Sequence, residues 1–302
     1  MSENKVVYSQ WLKRGTNVFL PTDNSMTVAK VESGVYSIQF NDRMGYYLVK
    51  KDLNLDELIE LPSVEGKKVM DGIKNFWEKK QKFKDYGYSF KRGILLYGVP
   101  GGGKTSIINL LCKELVDKQE GIVFTISSDD ELHHYKQFMG EIYRIIEPDR
   151  PIITIIEDID GLCQSKDTET KLLNVLDGIE QLENVVYVAT TNYTERLSAR
   201  ILNRPNRFDM RIEVKSPSEE CRRLYLRHKI KDKDLSDVEL EQWVKETEGM
   251  TMAHLGEVIK SVLILGNTFP DTIKNLHDLK KTPVSRNYDS EFEKNIGFGR
   301  RE

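Results

Sequence analysis

Residues 93–116, GILLYGVPGGGKTSIINLLCKELV, combine three features in one run. The run begins with an apolar segment typical of a buried strand and ends with a segment that has the pattern of a helix. Between them, Gly98 to Thr105 matches the complete GxxxxGK[ST] pattern, in the strand–loop–helix context that this pattern requires. Phosphate oxygens need several converging backbone N–H donors, and glycine lets the chain curl that tightly without a Cβ clash. The run therefore predicts a phosphate-binding loop.

The residue types of this loop suit a nucleoside triphosphate with its metal ion. Lys104 is expected to reach the β- and γ-phosphates, and the Thr105 hydroxyl to ligate Mg²⁺. The N-terminus of the following helix adds partial positive charge. ATP and Mg²⁺ are therefore the predicted cofactors. The predicted binding residues are Gly98, Pro100, Gly101, Gly102, Gly103, Lys104, Thr105 and Ser106.

An acidic strand end follows downstream, in PIITIIEDID at residues 151–160. Glu157 and Asp158 directly follow the apolar run, and Asp160 completes the group. Ligands of open α/β sheets bind beyond the carboxyl ends of the strands. With a phosphate loop upstream, we expect one carboxylate to hold Mg²⁺ through water and the next to polarise the attacking water.

Strand patterns alternate with helix patterns across the middle of the chain. GIVFTIS and NVVYVATTN, which begin at residues 121 and 184, have the apolar character of further buried strands. This alternation predicts a parallel sheet with helices on both faces. Residues 1–60 have the pattern of short strands joined by turns, and the pattern after about Pro217 is purely helical.

The predicted fold is therefore an α/β P-loop NTPase sheet, preceded by a small β-rich N-terminal segment and followed by a small helical lid. The predicted domains are a β-rich N-terminal domain at 1–61, a nucleotide-binding subdomain at 62–217, a helical lid at 218–268 and a tail, mobile in part, at 269–302.

A further motif, ATTNYTERLSARILNRPNRFDMRIEV, occupies residues 189–214. Together with the phosphate loop and the acidic strand end, it resembles the AAA subgroup of the AAA+ ATPases. The resemblance implies that Asn192 is a sensor that helps to orient the attacking water. By position it assigns Glu157 to the metal, with Thr105, and Asp158 to the activation of water. The order Glu-Asp is the reverse of the family's usual Asp-Glu.

The same resemblance implies that the catalytic set crosses a subunit boundary. Arg204 and Arg207, in NRPNRFD, match the family's paired arginines, which reach the γ-phosphate of the neighbouring subunit as arginine fingers. The implied assembly is a homo-oligomeric ring. A narrower likeness, over residues 62–265, is to the branch of the mitochondrial Rieske-protein translocase and to compact bacterial and phage AAA ATPases. Hexamers are commonest in the family and heptamers occur in that branch, so the ring size stays open.

AAA unfoldases that thread polypeptide carry an aromatic–hydrophobic–glycine pore loop after the second strand of the sheet. The corresponding stretch here is SSDDELHHYKQFMG at residues 127–140, and it lacks that signature. Its two aromatic residues other than histidine, Tyr135 and Phe138, are the candidates for a ring that faces a pore.

The composition and the net charge limit the classes of partner and the cellular compartment that we expect. The net charge of −3 argues against a global basic field for nucleic acid, while a local basic patch stays open. The lysine-rich residues 67–84 fit a solvated helix face better than a site for an anion or nucleic acid. Three well-separated cysteines and an N-terminus without a signal pattern predict the cytoplasm, or a host cytoplasm if the source is viral. No apolar run reaches the length of a membrane span.

Three functions stay open from the sequence. The favoured one is a ring-forming ATPase that binds and hydrolyses Mg-ATP to remodel or move a protein client or assembly. A motor or loader that acts on nucleic acid is disfavoured by the near-neutral charge and by the lack of a DNA-binding motif. A nucleotide-switched scaffold with little hydrolysis is disfavoured because Lys104, Asn192, Arg204 and Arg207 are all present.

Overall fold

The chain divides into two compact units, Met1–Ser216 and Pro217–Glu302. The computed structural model describes residues 10–22, 27–51, 64–177, 182–230 and 235–281. The first unit contains the central sheet with the predicted phosphate loop, and the described part of the second unit is helical. The predicted domain boundary at residue 61 lies outside the described residues.

The strands described in the first unit form one sheet of nine strands. They are β1 (Gln10–Arg14), β2 (Val18–Thr22), β3 (Gly34–Asn41), β4 (Gly45–Lys51), β5 (Lys91–Tyr97), β6 (Ile122–Ile126), β7 (Ile152–Ile156), β8 (Val185–Thr191) and β9 (Met210–Glu213). Their order across the sheet is β1-β2-β4-β3-β6-β7-β8-β5-β9. In this order across the sheet, every pairing from β3–β6 to β5–β9 is parallel, which confirms the predicted α/β sheet.

Strand β8 lies between β5 and β7. Tyr97 of β5 is paired with Thr191 of β8, and Ile156 of β7 is paired with Ala189 of the same strand. Because the three strands are parallel, their carboxyl ends meet at one edge of the sheet. The phosphate loop, the acidic strand end and Asn192 follow these three ends.

Helices cover both faces of the sheet. The helices of the first unit are α1 (Val64–Trp77), α2 (Lys80–Asp85), α3 (Lys104–Gln119), α4 (Asp129–Phe138), α5 (Arg144–Ile146), α6 (Ile159–Leu162), α7 (Lys166–Asp177) and α8 (Ala199–Leu202). Successive residues of a strand point to opposite faces. Accordingly, Ile94 and Leu96 of β5 share a core with α1 and α3, whereas Leu95 shares one with α4 and α7. This two-sided burial explains the continuous apolar runs of the strands.

The N-terminal strands extend the central sheet. Strands β1 to β4 pair antiparallel with one another, and β3 pairs in parallel with β6, Gly34 opposite Ile122 and Tyr36 opposite Phe124. The sequence pattern predicts a separate domain at residues 1–61. In the structure the described strands of that range instead share the sheet and the core of the nucleotide-binding part.

A buried carboxylate connects these strands to the rest of the unit. Glu147 Oε1 accepts hydrogen bonds from Trp11 Nε1 at 2.9 Å and from the Val31 backbone N–H at 3.0 Å. Glu147 Oε2 accepts from Arg150 Nη1 at 2.6 Å, and the two side chains are only 2% and 8% exposed. Arg150 also donates to the carbonyls of Val31 and Glu120. The cost of burying both charges is offset because each has several polar partners.

The described α-helices of the second unit are α9 (Glu219–Lys229), α10 (Asp237–Glu246), α11 (Met252–Ile259) and α12 (Phe269–Lys281), and a π-helical segment, Lys260–Ile264, continues α11. Ser236 and Glu239 form a capping box at the start of α10. No helix among the described residues of either unit has both the length and the apolar character of a membrane span.

Helix α12 occupies the first part of the range 269–302, for which a tail, mobile in part, was predicted. Phe269 stacks on Trp243 with 4.7 Å between ring centroids, and Ile273 and Leu276 are buried in the same core. These three apolar residues recur at helical spacing, so they form one face that packs against the other helices. Residues 282–302, the remainder of the predicted tail, lie outside the described residues.

We expect the Glu147→Ala variant to lose about 3 kcal/mol of unfolding free energy, because it leaves the buried Arg150 charge without its ion-pair partner. Urea denaturation followed by tryptophan fluorescence measures this loss. Asp149→Ala is the matched control, since Asp149 forms an ion pair with Lys80 but its side chain is 86% exposed. The control should change stability by less than about 1 kcal/mol. Equal stabilities of the two variants would contradict a structural role for the Glu147 carboxylate.

Candidate active site

The loop between β5 and α3 has the backbone geometry that its glycines permit. Gly98, Gly101 and Gly103 have φ values of 141°, 72° and 105°, which residues with a side chain rarely adopt. A Cβ at Gly98 would also lie 2.2 Å from the carbonyl oxygen of Val214. The loop therefore requires glycine for its conformation and, at Gly98, for close packing against the chain after β9.

Lys104 lies at the centre of the site. Its Nζ donates hydrogen bonds to Gly98 O at 2.8 Å, to Val99 O at 3.0 Å and to Asn192 Oδ1 at 2.6 Å. Burial lowers the pKa of this ammonium, and the charge of nearby Asp158 opposes that effect. The contacts bring two predicted site residues, Lys104 and Asn192, together across the β5–β8 boundary.

Thr105 and Glu157 bring two oxygen ligands together. Thr105 Oγ1 donates to Glu157 Oε1 at 3.3 Å, and both residues are exposed at the edge of the sheet. A hydroxyl and a carboxylate are hard oxygen donors of the kind that Mg²⁺ prefers. Thr105 and Glu157 therefore fit Mg²⁺. The Lys104 ammonium and the glycine loop beside them fit the phosphates of ATP.

Asp158 has a left-handed backbone conformation, with φ 48° and ψ 52°. Aspartate tolerates this region better than most residues that carry a Cβ, although it still stores local strain. The Asp158 N–H donates to Thr190 Oγ1 at 3.1 Å, a contact from the neighbouring strand β8 that holds the turn. The Asp158 side chain is exposed at the same edge as Glu157.

Two neighbours of the site were not predicted to have a role. Thr191 Oγ1 donates to Asp160 Oδ1 at 2.6 Å and accepts the Tyr193 N–H at 2.9 Å. Thr190 and Thr191 thus connect the end of β8 to the turn after β7. The sequence signal for them was the threonine pair directly before Asn192, in ATTN.

The structure separates the two arginines of NRPNRFD. Arg204 is exposed, whereas Arg207 is 4% exposed and donates from Nη1 to the carbonyl oxygen of Arg200. Arg207 Nε also lies 3.8 Å from Asp177 Oδ2. Among the described residues, no hydrogen bond or ion pair joins either arginine to Lys104, Thr105, Glu157, Asp158 or Asn192.

The loop of these arginines packs directly on strand β5. A Cβ placed on Gly93 would lie 1.5 Å from the carbonyl oxygen of Arg207, so only glycine fits at that position of the strand. Lys91 and Arg207 both form ion pairs with Asp177, which adds a charged contact at the same place. Backbone contact and charge together hold Arg207 against β5 and Asp177.

The candidate pore residues are buried. The helix from α4 continues through a π-helical segment, Met139–Tyr143, into α5, so no loop interrupts this part of the chain. Tyr135 and Phe138 are 1% and 0% exposed, and the Tyr135 hydroxyl lies 2.8 Å from Thr154 Oγ1. Neither ring is available in this conformation to a polypeptide in a pore.

Comparison with known proteins matches residues 94–216 to the family "ATPase family associated with various cellular activities (AAA)". The chain is also similar to ATP-dependent zinc metalloproteases named FtsH. FtsH 2 of Sphaerobacter thermophilus is 30% identical over 216 residues, 67% of this chain and 32% of that protein. FtsH of Clostridium perfringens is 31% identical over 219 residues, 66% of this chain and 29% of that protein. The chain thus spans about a third of the length of these curated relatives.

We expect Lys104→Ala to weaken ATP binding more than 100-fold, because the variant loses charge-assisted hydrogen bonds worth about 3 kcal/mol. Isothermal titration calorimetry with Mg-ATP measures the change. Lys113→Ala, an exposed lysine on the same helix α3, is the matched control and should bind like the parent. A Lys104→Ala protein that binds ATP with parental affinity would disprove the assignment of the loop.

Proposed function

Since residues 94–216 form an AAA ATPase domain, which places the chain in the AAA+ family, we propose that the protein hydrolyses Mg-ATP to ADP and phosphate. The single observation that carries this proposal is the position of Lys104 Nζ, within hydrogen-bond distance of the glycine loop and of Asn192 Oδ1. A buried ammonium between a phosphate cradle and a polar strand end is what the terminal phosphates of ATP require.

The proposed roles follow from the positions of the side chains. Backbone N–H groups of the loop and Lys104 hold the β- and γ-phosphates, while Thr105 and Glu157 hold the metal ion. Mg²⁺ supplies charge neutralisation on the phosphate oxygens when it is bound. Asp158 accepts a proton from the attacking water, and Asn192 orients that water.

The order Glu157-Asp158 coincides with an unusual backbone conformation in the turn after β7. An aspartate is one methylene shorter than the glutamate usual at the second position of this family, so its carboxylate reaches less far. The left-handed conformation of Asp158, held by Thr190 Oγ1, defines where that shorter side chain starts. We therefore infer that Thr190 positions the proposed base.

Assembly into a homo-oligomeric ring is the second part of the proposal. Arg204 is exposed and free to approach the γ-phosphate of a neighbour, which is the arrangement of an arginine finger. Arg207 is buried against Asp177 and the Arg200 carbonyl, so we assign it to holding the loop that presents Arg204. A ring needs the same head-to-tail contact to repeat until it closes.

A protein is the proposed client of this ATPase. The similar proteins are named as ATP-dependent proteases, whose activity is directed at protein, and the matched residues contain the ATPase domain. The buried positions of Tyr135 and Phe138 argue against threading by a loop at that place. We therefore propose that the protein uses ATP hydrolysis to remodel or move a protein or an assembly. Tyr135 and Phe138 do not contact the client in this proposal.

We expect Asp158→Asn to bind Mg-ATP normally and to hydrolyse it about 10²–10⁴-fold more slowly, because the amide cannot accept a proton. Glu157→Gln should instead raise the Mg²⁺ concentration needed for half-maximal activity. Steady-state phosphate release, measured over a Mg²⁺ titration, separates the two effects. The assignment is reversed if Asp158→Asn keeps the parental rate while Glu157→Gln loses turnover with unchanged Mg²⁺ dependence.

For the arginines, Arg204→Ala should bind ATP normally and hydrolyse it about 10³-fold more slowly, because a finger stabilises only the transition state. Mixing Arg204→Ala with Lys104→Ala subunits should restore part of the activity, since working fingers then face loaded sites. Arg207→Ala should slow hydrolysis and also lower the melting temperature. Arg144→Ala, which replaces an exposed arginine, is the control and should change neither the hydrolysis rate nor the melting temperature. Well-mixed assemblies that gain no activity would rule out a role of Arg204 in trans.

A further inference from the structure

A short basic segment of the first unit comprises α2 and the turn that leads from it towards β5. We refer to residues 79–88, KKQKFKDYGY, as the lysine–tyrosine turn. Backbone hydrogen bonds from Gly87 N to Lys84 O and from Tyr88 N to Phe83 O close it, and Gly87 has the left-handed φ of 72° that the reversal needs. The turn is therefore an ordered feature with a defined surface.

Two tyrosine rings of the turn are exposed to an unusual degree. Tyr86 is 78% exposed and Tyr88 is 69% exposed, the two highest values among the exposed aromatic side chains described. Neither ring stacks on another described aromatic ring, and neither hydroxyl has a hydrogen-bond partner among the described residues. Packing of this subunit therefore does not explain these two rings.

The charges of the turn are largely uncompensated. Lys79, Lys82 and Lys84 form no ion pair with any described residue, whereas Lys80 pairs with Asp149 at 3.0 Å. The single carboxylate of the turn, Asp85, accepts a hydrogen bond from Gln81 at 2.8 Å. The described side chains thus leave a local positive surface, although the whole chain has a net charge of −3.

These features indicate which kind of partner the surface fits. We propose that the lysine–tyrosine turn binds single-stranded nucleic acid, with phosphates on Lys79, Lys82 and Lys84 and bases stacked on Tyr86 and Tyr88. Single-strand binding proteins combine a positive backbone track with aromatic platforms in this manner. The sequence alone favoured a solvated helix face. The exposure of the two rings beside unpaired lysines changes that interpretation.

Two other partners fit the surface less well. A membrane surface requires an apolar face that can insert. The one apolar side chain of α2, Phe83, instead packs inward on Phe76 and Phe90, with ring centroids 5.5 Å and 5.3 Å apart. An acidic peptide would use the lysines but would leave two exposed rings without a role.

The inference goes beyond the proposed ATPase and is tested without ATP, so either proposal stands or fails alone. Fluorescence anisotropy with labelled oligo(dT), oligo(U) and a DNA duplex measures binding by the whole chain. We expect the single strands to bind in the range of about 10⁻⁶–10⁻⁴ M and more tightly than the duplex. Titration of vesicles that contain phosphatidylserine, and of a poly-glutamate peptide, tests the two other partners.

Four double variants assign the binding to residues. Tyr86→Ser with Tyr88→Ser should weaken binding at least about tenfold, whereas Tyr86→Phe with Tyr88→Phe should retain it, because stacking needs the ring and not the hydroxyl. Lys82→Gln with Lys84→Gln should reduce the slope of log K against log salt by about 0.7 per lysine. Lys113→Gln with Lys136→Gln, two exposed lysines elsewhere on the unit, is the control for total charge.

The proposal is overturned by any of four results. These are no binding of single strands at about 10⁻⁴ M protein, parental affinity in the serine variant, equal losses in the control variant, or binding of vesicles or poly-glutamate without binding of oligonucleotides. Circular dichroism and the melting temperature verify that each variant is folded, and the phenylalanine variant keeps the test valid if the serine variant is unstable.

Discussion

The position of strand β8 between β5 and β7 is the constraint on which the candidate site depends. Parallel pairing places the phosphate loop, the sensor position and the acidic strand end side by side at one edge of the sheet. Neighbouring strands are about 4.8 Å apart, so β5 and β7 are separated by about 10 Å. Beyond the three strand ends the side chains are close enough for Lys104 to donate to Asn192 and for Thr105 to donate to Glu157.

Backbone packs closely on Gly93 of strand β5 and on Gly98, the first residue after that strand. The carbonyl of Arg207 lies over Gly93, and the carbonyl of Val214 lies over Gly98, where in both cases a Cβ would collide. The first contact holds the loop of Arg204 and the second holds the start of the phosphate loop. The loop of the proposed finger and the proposed nucleotide cradle thus both depend on close backbone contacts at β5 and at the residue that follows it.

The N-terminal strands illustrate how distant contacts determine architecture. Their short alternating pattern indicated strands, and strands are present in the described part of that range. Strand β3 pairs with β6, whose residues lie almost ninety positions later in the chain. The hydrogen bonds that Glu147 accepts from Trp11 and Val31 join segments more than a hundred residues apart. Within RIIEPDRP, Glu147 has no local feature that distinguishes it from a surface carboxylate, so this connection was not predictable from the sequence.

The sequence by itself determined the parts of the protein that depend on local rules. Glycines with left-handed φ, the phosphate lysine, the apolar strand runs and the acidic residues after β7 are each recognisable within a few neighbouring residues. Only the tertiary structure distinguished Arg204 from Arg207, which are three residues apart in one motif, and showed that Tyr135 is buried while Tyr86 is exposed. The physical reason is that burial and pairing depend on segments that meet through folding, whereas backbone conformation depends mainly on the residue and its immediate neighbours.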